Sequence, residues 1–418
     1  MSDAAPAKPR RRAAMAFIFA TVMLATLAGS IIGPVLPALL KSLTGGSMAQ
    51  MSGAMGVMTV LYAALQFFAG PVQGALSDRF GRRPVILVAN FGLAMDYAIM
   101  AMAPSLGWLF VGRAITGATA GSITAAYAYV ADVTEPDQRA ARFGLLGAAI
   151  SAGAAAGPLL GGLLGELNPR APFWAAAGLS VLAGLYGLFV LPESLPREDR
   201  APLRWKAIHP VGAVTGLWRD YPVLIGWQGA MFLMTFAIGG VNAIFLLYVT
   251  YRFGWTPKAL GLYSTVVVLS GLVVQTGLVS RSIKLLGERG ALIGGIVLQT
   301  LAIFACGFAV TGLEFTAGVM VMMLGTVSEP VRSAIMNRII GPSDRGRLSG
   351  STRSVVSLTG ILAPAPFTAL FAWVSTGPPG ALKVGLPFFV CAAILVASLA
   401  VTLAVLRRPI AAPVAEAA

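Results

Sequence analysis

The chain has 418 residues, of which 57% are hydrophobic and only 11% are charged. Soluble domains usually carry about 25% charged residues, so this composition excludes an ordinary soluble globular protein. The high hydrophobicity excludes a disordered chain, and two cysteines are too few for a disulfide scaffold. The net charge of +14 is scattered between apolar runs, whereas a nucleic-acid-binding protein concentrates its charge on one solvated surface. We therefore expect a polytopic membrane protein.

Twelve stretches of the chain are apolar and long enough to form a membrane-spanning helix, which needs about 20 residues. They cover residues 14–40, 51–75, 84–104, 107–131, 143–165, 171–191, 222–250, 259–280, 290–311, 313–336, 348–373 and 385–406. The long break at 192–221 is rich in proline and charge, which predicts a cytoplasmic linker between two bundles. The predicted order is a tail at 1–13, a six-helix bundle at 14–191, the linker at 192–221, a second bundle at 222–406 and a tail at 407–418. The predicted fold class is an all-α polytopic membrane protein with 12 transmembrane helices in two six-helix halves.

The basic residues are distributed unequally between the two ends of these spans. The tails, the linker and alternate loops hold 24 of the 30 Lys and Arg residues, the opposite loops hold five, and Arg113 lies inside a span. The positive-inside rule then places both termini in the cytoplasm. The first apolar run is too long for a signal peptide and is not followed by a cleavage site. We expect a multi-pass protein of the cell membrane, here a bacterial inner membrane.

The sequence repeats itself weakly at one offset. Three pairs of residues are each separated by 206 positions: Gly81 and Gly287, Pro136 and Pro342, Pro158 and Pro364. This common spacing predicts a duplication of one six-helix unit. Parallel repeats of this kind occur in secondary transporters that bind substrate between their halves, near the middle of the bilayer.

Residues 74–84, between the second and third spans, read GALSDRFGRRP. They resemble the loop signature of the major facilitator superfamily, Gly-x-Leu-Ala-Asp-Arg-x-Gly-Arg-Arg, with Ser77 in the usual alanine position. A carboxylate flanked by guanidinium groups can form a charge cluster against a helix N-terminus, and we expect this one to hold an inner gate closed. Alternatively, the charges only set the topology. The gating candidates are Gly74, Asp78, Arg79, Gly81, Arg82 and Arg83, with Asp132, Arg139 and Arg142 as partners from the next loop on that side.

The fifth span contains glycines at intervals of four, so that they share one helical face and permit close helix approach. Pro158 removes a backbone hydrogen bond within this span and introduces a kink. The segment resembles the Gly-x-x-x-Gly-Pro-x-x-Gly-Gly signature that the superfamily associates with proton-driven exporters. The alternative is that the glycines serve packing alone. The antiporter-motif candidates are Gly153, Gly157, Pro158, Gly161 and Gly162.

Several further segments are similar to the tetracycline-efflux branch of the superfamily. They include ATVMLATLAGSIIGPVLPALL, MDYAIMA, YVADVTEPDQRAARFG, RAPFWAAAGL and LPES, and the similarity is dense over residues 20–195. Ala25, Gly271 and Gln299 stand where that branch has ionisable residues tied to transport. The resemblance therefore implies a drug:proton antiporter of 12 spans, but it leaves tetracycline itself open as the substrate.

Ionisable residues inside a membrane are costly and therefore suggest function. Asp96, in the third span, matches the membrane carboxylate of the branch. Arg113, in GRAITG of the fourth span, matches a second superfamily signature whose arginine is implicated in proton transfer. Glu329 lies in the tenth span, one turn before Arg332. We expect Asp96, Arg113 and Glu329 to carry proton coupling, while structural hydrogen bonding or local ion pairing is the alternative for each.

Mostly apolar walls with a few polar groups suit a lipophilic ligand. The candidates for a substrate cavity are Phe67, Phe68, Gln228, Phe232, Asn242, Gln275 and Gln299. For the aromatic residues, contact with lipid or with neighbouring helices is the competing interpretation. Gln275 and Gln299 are stronger candidates, because an amide in a bilayer needs a polar partner or cavity water.

These features predict a proton-coupled antiporter that exports small amphipathic compounds or drugs by alternating access, with tetracycline-like compounds as one open candidate. The chain has no phosphate-binding loop of the Gly-x-x-x-x-Gly-Lys-Ser/Thr type, so we expect the proton gradient and not ATP to drive it, with no cofactor and no metal. The expected partners are a small-molecule substrate, protons and the lipid bilayer, without nucleic acid, and the expected functional state is a monomer. One alternative is a proton-coupled importer of a metabolite, which the fifth-span motif disfavours. A remote alternative is a membrane enzyme, which would need clustered nucleophiles, bases or metal ligands.

Overall fold

The structure is a computed structural model that describes residues 8–200, 217–341, 344–376 and 382–407. The described part of the chain is almost entirely helical and contains no β-strand. Ten of its helical segments are long and apolar enough to cross a membrane. This confirms the predicted all-α membrane fold. The tail residues 1–7 and 408–418, the linker residues 201–216 and the repeat position Pro342 lie outside the described residues.

Contacts between residues divide the chain into two units. Unit 1 comprises Met1–Gly45, Leu61–Ile208 and Thr256–Thr265, and unit 2 comprises Gly46–Val60, His209–Trp255 and Val266–Ala418. Each unit thus includes a short segment from the other half of the sequence. The linear order of the spans did not predict this exchange, because it depends on which helix ends pack together.

The first half of the sequence forms eight helices. They are α1 (Lys8–Ile31), α2 (Leu36–Thr44), α3 (Met48–Phe80), α4 (Arg82–Met102), α5 (Leu106–Thr119), α6 (Ser122–Val133), α7 (Arg139–Leu167) and α8 (Ala171–Val190). In unit 1, α1 packs against α7 and α8, and α4 packs against α5, α6 and α8. The core between them is fully buried at Phe17, Ile18, Ile86, Tyr129 and Leu146.

The second half forms a corresponding series. Its helices are α9 (Val223–Phe253), α10 (Pro257–Val273), α11 (Val279–Phe308), α12 (Gly312–Gly325), α13 (Ser328–Ile339), α14 (Arg345–Leu362), α15 (Pro364–Val374) and α16 (Leu386–Leu406). In unit 2, α9 packs against α14, α15 and α16, and α11 packs against α12, α13 and α16. A separate core forms there around Trp227, Leu292 and Ile296.

The repeat of 206 residues is visible in the helix boundaries. Helices α5 and α6 recur as α12 and α13, and both ends of each helix are displaced by 206 positions. Gly81 separates α3 from α4 with φ 105°, and Gly287 interrupts α11 with φ 67°. Glycine adopts this region readily because it has no Cβ, which explains why these two positions carry the repeat.

Four predicted spans are divided between two helices where continuous helices were expected, among them 14–40 (α1 and α2) and 348–373 (α14 and α15). The stretch 107–131 divides into α5 and α6 around Ala120 and Gly121, and the stretch 313–336 divides into α12 and α13 around Thr326 and Val327. At the break in 107–131, a Cβ on Gly121 would collide with the side chain of Gln73. Close approach of another helix therefore accompanies the break, and a hydropathy profile does not record such an approach.

Candidate functional site

Asp96 on α4 is fully buried and forms an ion pair with Arg113 on the neighbouring helix α5. Thr116, one turn further along α5, donates its hydroxyl to the same carboxylate oxygen, Oδ2, at 2.5 Å. A carboxylate that is shielded from solvent needs such partners, because burying an unpaired charge costs a large amount of free energy. Unit 1 therefore joins two of the three predicted coupling residues in one buried charge pair.

The second oxygen of Asp96, Oδ1, is also buried, and it has no hydrogen-bond partner among the described residues. Gly112 on α5 faces it so closely that a Cβ at this position would collide with Oδ1. Both partners of Asp96 contact Oδ2, so Oδ1 is the atom free to take a proton. A proton bound there would neutralise the carboxylate and weaken its hold on Arg113.

Arg82, at the first position of α4, is the centre of the predicted gating cluster. Its guanidinium contacts the carboxylates of Asp78 at 2.5 Å and Asp132 at 3.1 Å. Asp132 also accepts a hydrogen bond from Ser194 at 3.0 Å. One arginine thus joins the end of α3, the end of α6 and the segment that follows α8.

Glu193 is a member of this cluster that the sequence did not single out. Its carboxylate accepts hydrogen bonds from the backbone amides of Arg82 at 2.7 Å and Arg83 at 3.2 Å. These amides belong to the first turn of α4, where helices leave their N–H groups without internal partners. Glu193 follows Gly81 by 112 positions, so only the packing of α8 beside α4 brings it there. The LPES segment contained the signal, but nothing in its spacing identified the partner.

The other gating candidates are more dispersed. Arg79 lies over the ring of Phe80 at 5.3 Å, and Arg83 donates to the carbonyl of Leu188. Arg139 donates to the carbonyl of Thr134 at 3.2 Å, within its own loop. Within the described ranges, the Arg142 side chain makes no hydrogen bond or ion pair, and Gly74 has open space where a Cβ would lie.

The glycines of the fifth span lie on α7, and three of them contact α1. A Cβ on Gly153 would lie 2.5 Å from the carbonyl oxygen of Met23, and one on Gly157 would lie 2.8 Å from that of Leu27. At Gly161 a Cβ would collide with the backbone of Ile31. The two backbones approach as closely as a missing Cβ allows, which is the usual role of small residues between membrane helices.

The other two residues of this motif contact the start of α10, also within unit 1. A Cβ on Gly162 would lie 2.6 Å from the carbonyl oxygen of Pro257, and Gly261 faces the carbonyl of Pro158 closely enough to exclude a Cβ. Glu166 adds a hydrogen bond from the backbone amide of Lys258 at 3.1 Å. The glycine and proline motif therefore has two packing faces, one toward α1 and one toward α10.

Unit 2 contains a cavity of about 370 Å³ among its helices. Its lining residues are Met234, Thr235, Ile238, Gly239, Asn242, Gln299, Met322, Met323, Thr326, Glu329, Val356, Thr359 and Gly360. The cavity brings together Asn242, Gln299 and Glu329, which the sequence identified separately. Its volume lies within the range of about 300–1,000 Å³ typical of small-molecule sites.

Glu329 forms an ion pair with Arg332 at 2.7 Å on α13. The Arg332 side chain is only 3% exposed and also donates to the sulfur of Met234, whereas the Glu329 side chain is 44% exposed. Arg332 therefore lies behind the carboxylate, and the carboxylate is the charged group that faces the cavity.

The remaining substrate candidates lie elsewhere. Phe67 and Phe68 contact each other edge to face, and Phe68 is 67% exposed. Gln228 is buried, and its side chain forms hydrogen bonds with Trp218 and Ser351. The last two do not line the cavity either: Phe232 stacks on Phe236, and Gln275 is exposed in a π-helical turn.

Ionisable residues buried in membrane-spanning helices mark ion or substrate pathways, and a parallel repeat of one helical unit occurs in secondary transporters. The chain belongs to the major facilitator superfamily, whose family model matches residues 18–327. It is therefore a transporter-family protein and not an enzyme.

Comparison with known proteins places it near drug-resistance transporters. It is 34% identical to the class C tetracycline resistance protein of Escherichia coli, over 86% of this chain and 90% of that protein. It is 33% identical to the class G protein of Vibrio anguillarum, over 82% and 86% of the two chains. Among solved structures, a bacterial homolog of the human lysosomal transporter Spinster matches with a TM-score of 0.76 at 15% identity, over 96% and 98% of the chains. The first two comparisons confirm the resemblance to the tetracycline-efflux branch, and the third supports the fold.

Proposed function

We propose that this protein is a proton-coupled antiporter that exports small amphipathic compounds or drugs by alternating access. The observation that carries the proposal is the fully buried Asp96, whose Oδ2 is held by Arg113 and Thr116 while Oδ1 has no partner among the described residues. The similarity to tetracycline resistance proteins supports a drug as the transported compound.

Two protonation states of Asp96 supply the coupling. With Asp96 ionised, the carboxylate holds Arg113 and thereby fixes α5 against α4. With Oδ1 protonated, the attraction to Arg113 falls, and the helices favour the other conformation of the transporter. A ligand that prefers one conformation then binds or leaves according to the proton, because coupling needs only a difference in affinity between two states.

The arrangement of basic residues supports an orientation with both termini in the cytoplasm of a bacterial inner membrane. In this orientation the Arg82 cluster lies at the inner face, where its ion pairs would open and close with the gate. We propose that a single chain performs the cycle, driven by the proton gradient without a cofactor.

The test uses inside-out vesicles that respiration has acidified internally, with a pH-sensitive dye reporting proton release when drug is added. A panel that includes tetracycline, ethidium and fluoroquinolones identifies a transported compound. Wild-type protein is expected to release protons on addition of such a compound, and Asp96→Asn is expected to abolish this release. Asp137→Asn, a change of an exposed loop carboxylate, is the matched control.

Proton release that is unchanged in Asp96→Asn would overturn the role of Asp96. Proton movement in the same direction as the compound would instead establish the importer alternative.

A further inference from the structure

The cavity of unit 2 carries an inference that rests on the proposed function and specifies its substrate class. We infer that this cavity binds an organic cation with hydrogen-bond donors, such as an ammonium or amidinium compound with an apolar body. Acceptors, donors and charge are distributed over the cavity wall in a way that favours such a cation.

Charge comes first. Glu329 is the one ionisable residue among those that line the cavity, and its side chain is 44% exposed. Arg332 contacts Oε2 of this carboxylate from the buried side, at 2.7 Å. The opposite oxygen, Oε1, is left for a ligand. A cation entering the cavity therefore meets the carboxylate before the arginine, whereas an anion is repelled by the carboxylate.

The amide of Gln299 offers a buried hydrogen-bond acceptor to the cavity. The residue is only 2% exposed and lines the cavity, yet its Oε1 has no hydrogen-bond partner among the described residues. A buried acceptor without a partner costs about 1–3 kcal/mol, so a ligand that donates to it recovers this energy. Gly325 packs against the Gln299 side chain and fixes its position, since a Cβ there would lie 2.5 Å from Cγ.

The three threonines of the wall contribute acceptors only. Thr235 and Thr359 each donate their hydroxyl proton to a carbonyl of their own helix, at 2.8 and 2.7 Å, and Thr326 donates to the carbonyl of Met323 in the last turn of α12, at 2.7 Å. A hydroxyl whose proton is already donated to a carbonyl offers only its lone pairs, as acceptors, to a ligand. Toward the cavity, the donors are therefore limited to the NH₂ groups of Asn242 and Gln299, and acceptors predominate.

The apolar part of the wall suits a variable body. Met234, Met322 and Met323 line the cavity together with Ile238 and Val356. Methionine is unbranched and polarizable, so it adapts to ligands of different shape and packs well against aromatic rings. The wall thus combines one negative site and several acceptors with an adaptable apolar surface.

The test measures binding to the purified full-length protein in detergent by fluorescence, with three probes of similar size and different charge. Ethidium is the cation and carries aromatic amines, N-phenyl-1-naphthylamine is neutral, and 8-anilinonaphthalene-1-sulfonate is the anion. For Glu329→Gln we expect ethidium to bind at least tenfold more weakly, the neutral probe to bind as in wild type, and the anion to bind more tightly. Glu329→Asp, which keeps the charge, is expected to retain most of the ethidium affinity.

Gln299→Leu tests the second site independently of the ion pair, and it is expected to weaken ethidium about fivefold while the neutral probe is unaffected. Asn337→Leu is the control, because Asn337 lies on the same helix as Glu329, donates to the carbonyl of Ser333 and does not line the cavity. Equal losses for all three probes, or ethidium binding unchanged in both Glu329→Gln and Gln299→Leu, would overturn the inference.

Failure of the cation site and failure of the proposed function can be told apart. A protein that binds ethidium as expected but moves no protons in vesicles would contradict the antiporter proposal and leave the cation site standing. A proton-coupled exporter whose ethidium affinity is unchanged by both Glu329→Gln and Gln299→Leu would contradict the cation site alone.

Discussion

Asp132 and Arg338 occupy the same position in the two repeats, 206 residues apart, and each forms an ion pair with the residue 50 positions before it in the sequence. Asp132 pairs with Arg82 at 3.1 Å, and Arg338 pairs with Glu288. The geometry of the pair is therefore duplicated while its charges are exchanged.

The helix N-terminus explains why both arrangements are stable. Glu288 directly follows the interruption at Gly287, so its own carboxylate lies at the positive end of the following helical segment. Arg82 has the opposite charge at the equivalent position, and there Glu193 supplies the carboxylate to the free amides. Each repeat thus places a carboxylate at this helix end, in the second repeat from the helix itself and in the first from a distant segment.

Exchanging the charges of the second pair tests this relationship. Glu288→Lys places two cations together and opposes the helix dipole, so we expect a loss of about 1 kcal/mol in the free energy of unfolding. The double variant Glu288→Lys/Arg338→Glu is expected to recover part of this loss, because the ion pair is restored while the dipole remains opposed. Thermal unfolding in detergent measures both, and a double variant as unstable as the sum of its single changes would contradict the pairing.

The buried pair in unit 1 predicts a different pattern. Replacing Arg113 by Leu leaves Asp96 as an uncompensated buried charge, and such a change typically costs about 3–5 kcal/mol. The double variant Asp96→Asn/Arg113→Leu removes both charges and is expected to be more stable than Arg113→Leu alone. The unfolding temperatures of the purified proteins decide this, and an equal or lower value for the double variant would show that the charges do not compensate each other.

Glu193 is expected to stabilise the start of α4. In Glu193→Ala the amides of Arg82 and Arg83 lose their acceptor, which costs about 1 kcal/mol at a helix N-terminus. Hydrogen exchange followed by mass spectrometry should show faster exchange in the peptide that covers residues 81–90. Glu193→Gln keeps an acceptor oxygen and is expected to exchange at an intermediate rate. Unchanged exchange in Glu193→Ala would mean that water replaces the carboxylate without cost.

The glycine face of α7 offers a matched pair of substitutions. Gly161→Val would force a side chain into the backbone of Ile31, so we expect poor folding or loss of transport. Gly147→Val, on the same helix, has open space for its Cβ and is expected to behave like wild type apart from a small effect of helix propensity. Expression in the membrane and drug resistance of the host measure the difference, and similar behaviour of both variants would argue against close packing of α7 on α1.

A cluster beside α14 predicts a dependence on pH. Asp344 accepts hydrogen bonds from Arg347 and Tyr221, each at 2.8 Å, and the Arg347 guanidinium holds the pKa of this carboxyl below its usual range. A carboxyl whose pKa is lowered by folding stabilises the protein above its unfolded pKa of about 4, and the contribution is lost as the pH falls through the lowered value.

Asp344→Asn should therefore lower the unfolding temperature at pH 7, and its difference from wild type should shrink below about pH 4. Thermal unfolding across this range is the measurement. A difference that stays constant with pH would show that hydrogen bonding, and not the charge, is what the substitution removes.

Hydropathy and glycine positions act locally along the chain, so the order of amino acids was enough to predict the membrane class, the approximate position of the apolar helical stretches and the repeat of 206 residues. It also identified Asp96, Arg113 and Glu329, since charge is rare in apolar segments. How these residues pair became clear only from the folded structure. Asp96 meets Arg113 across two helices, Glu329 faces a cavity beside Gln299, and Glu193 reaches the start of α4 from 111 residues away. Such contacts depend on which helix faces pack together, and a single sequence does not specify that packing, because many pairings of apolar helices bury similar surface.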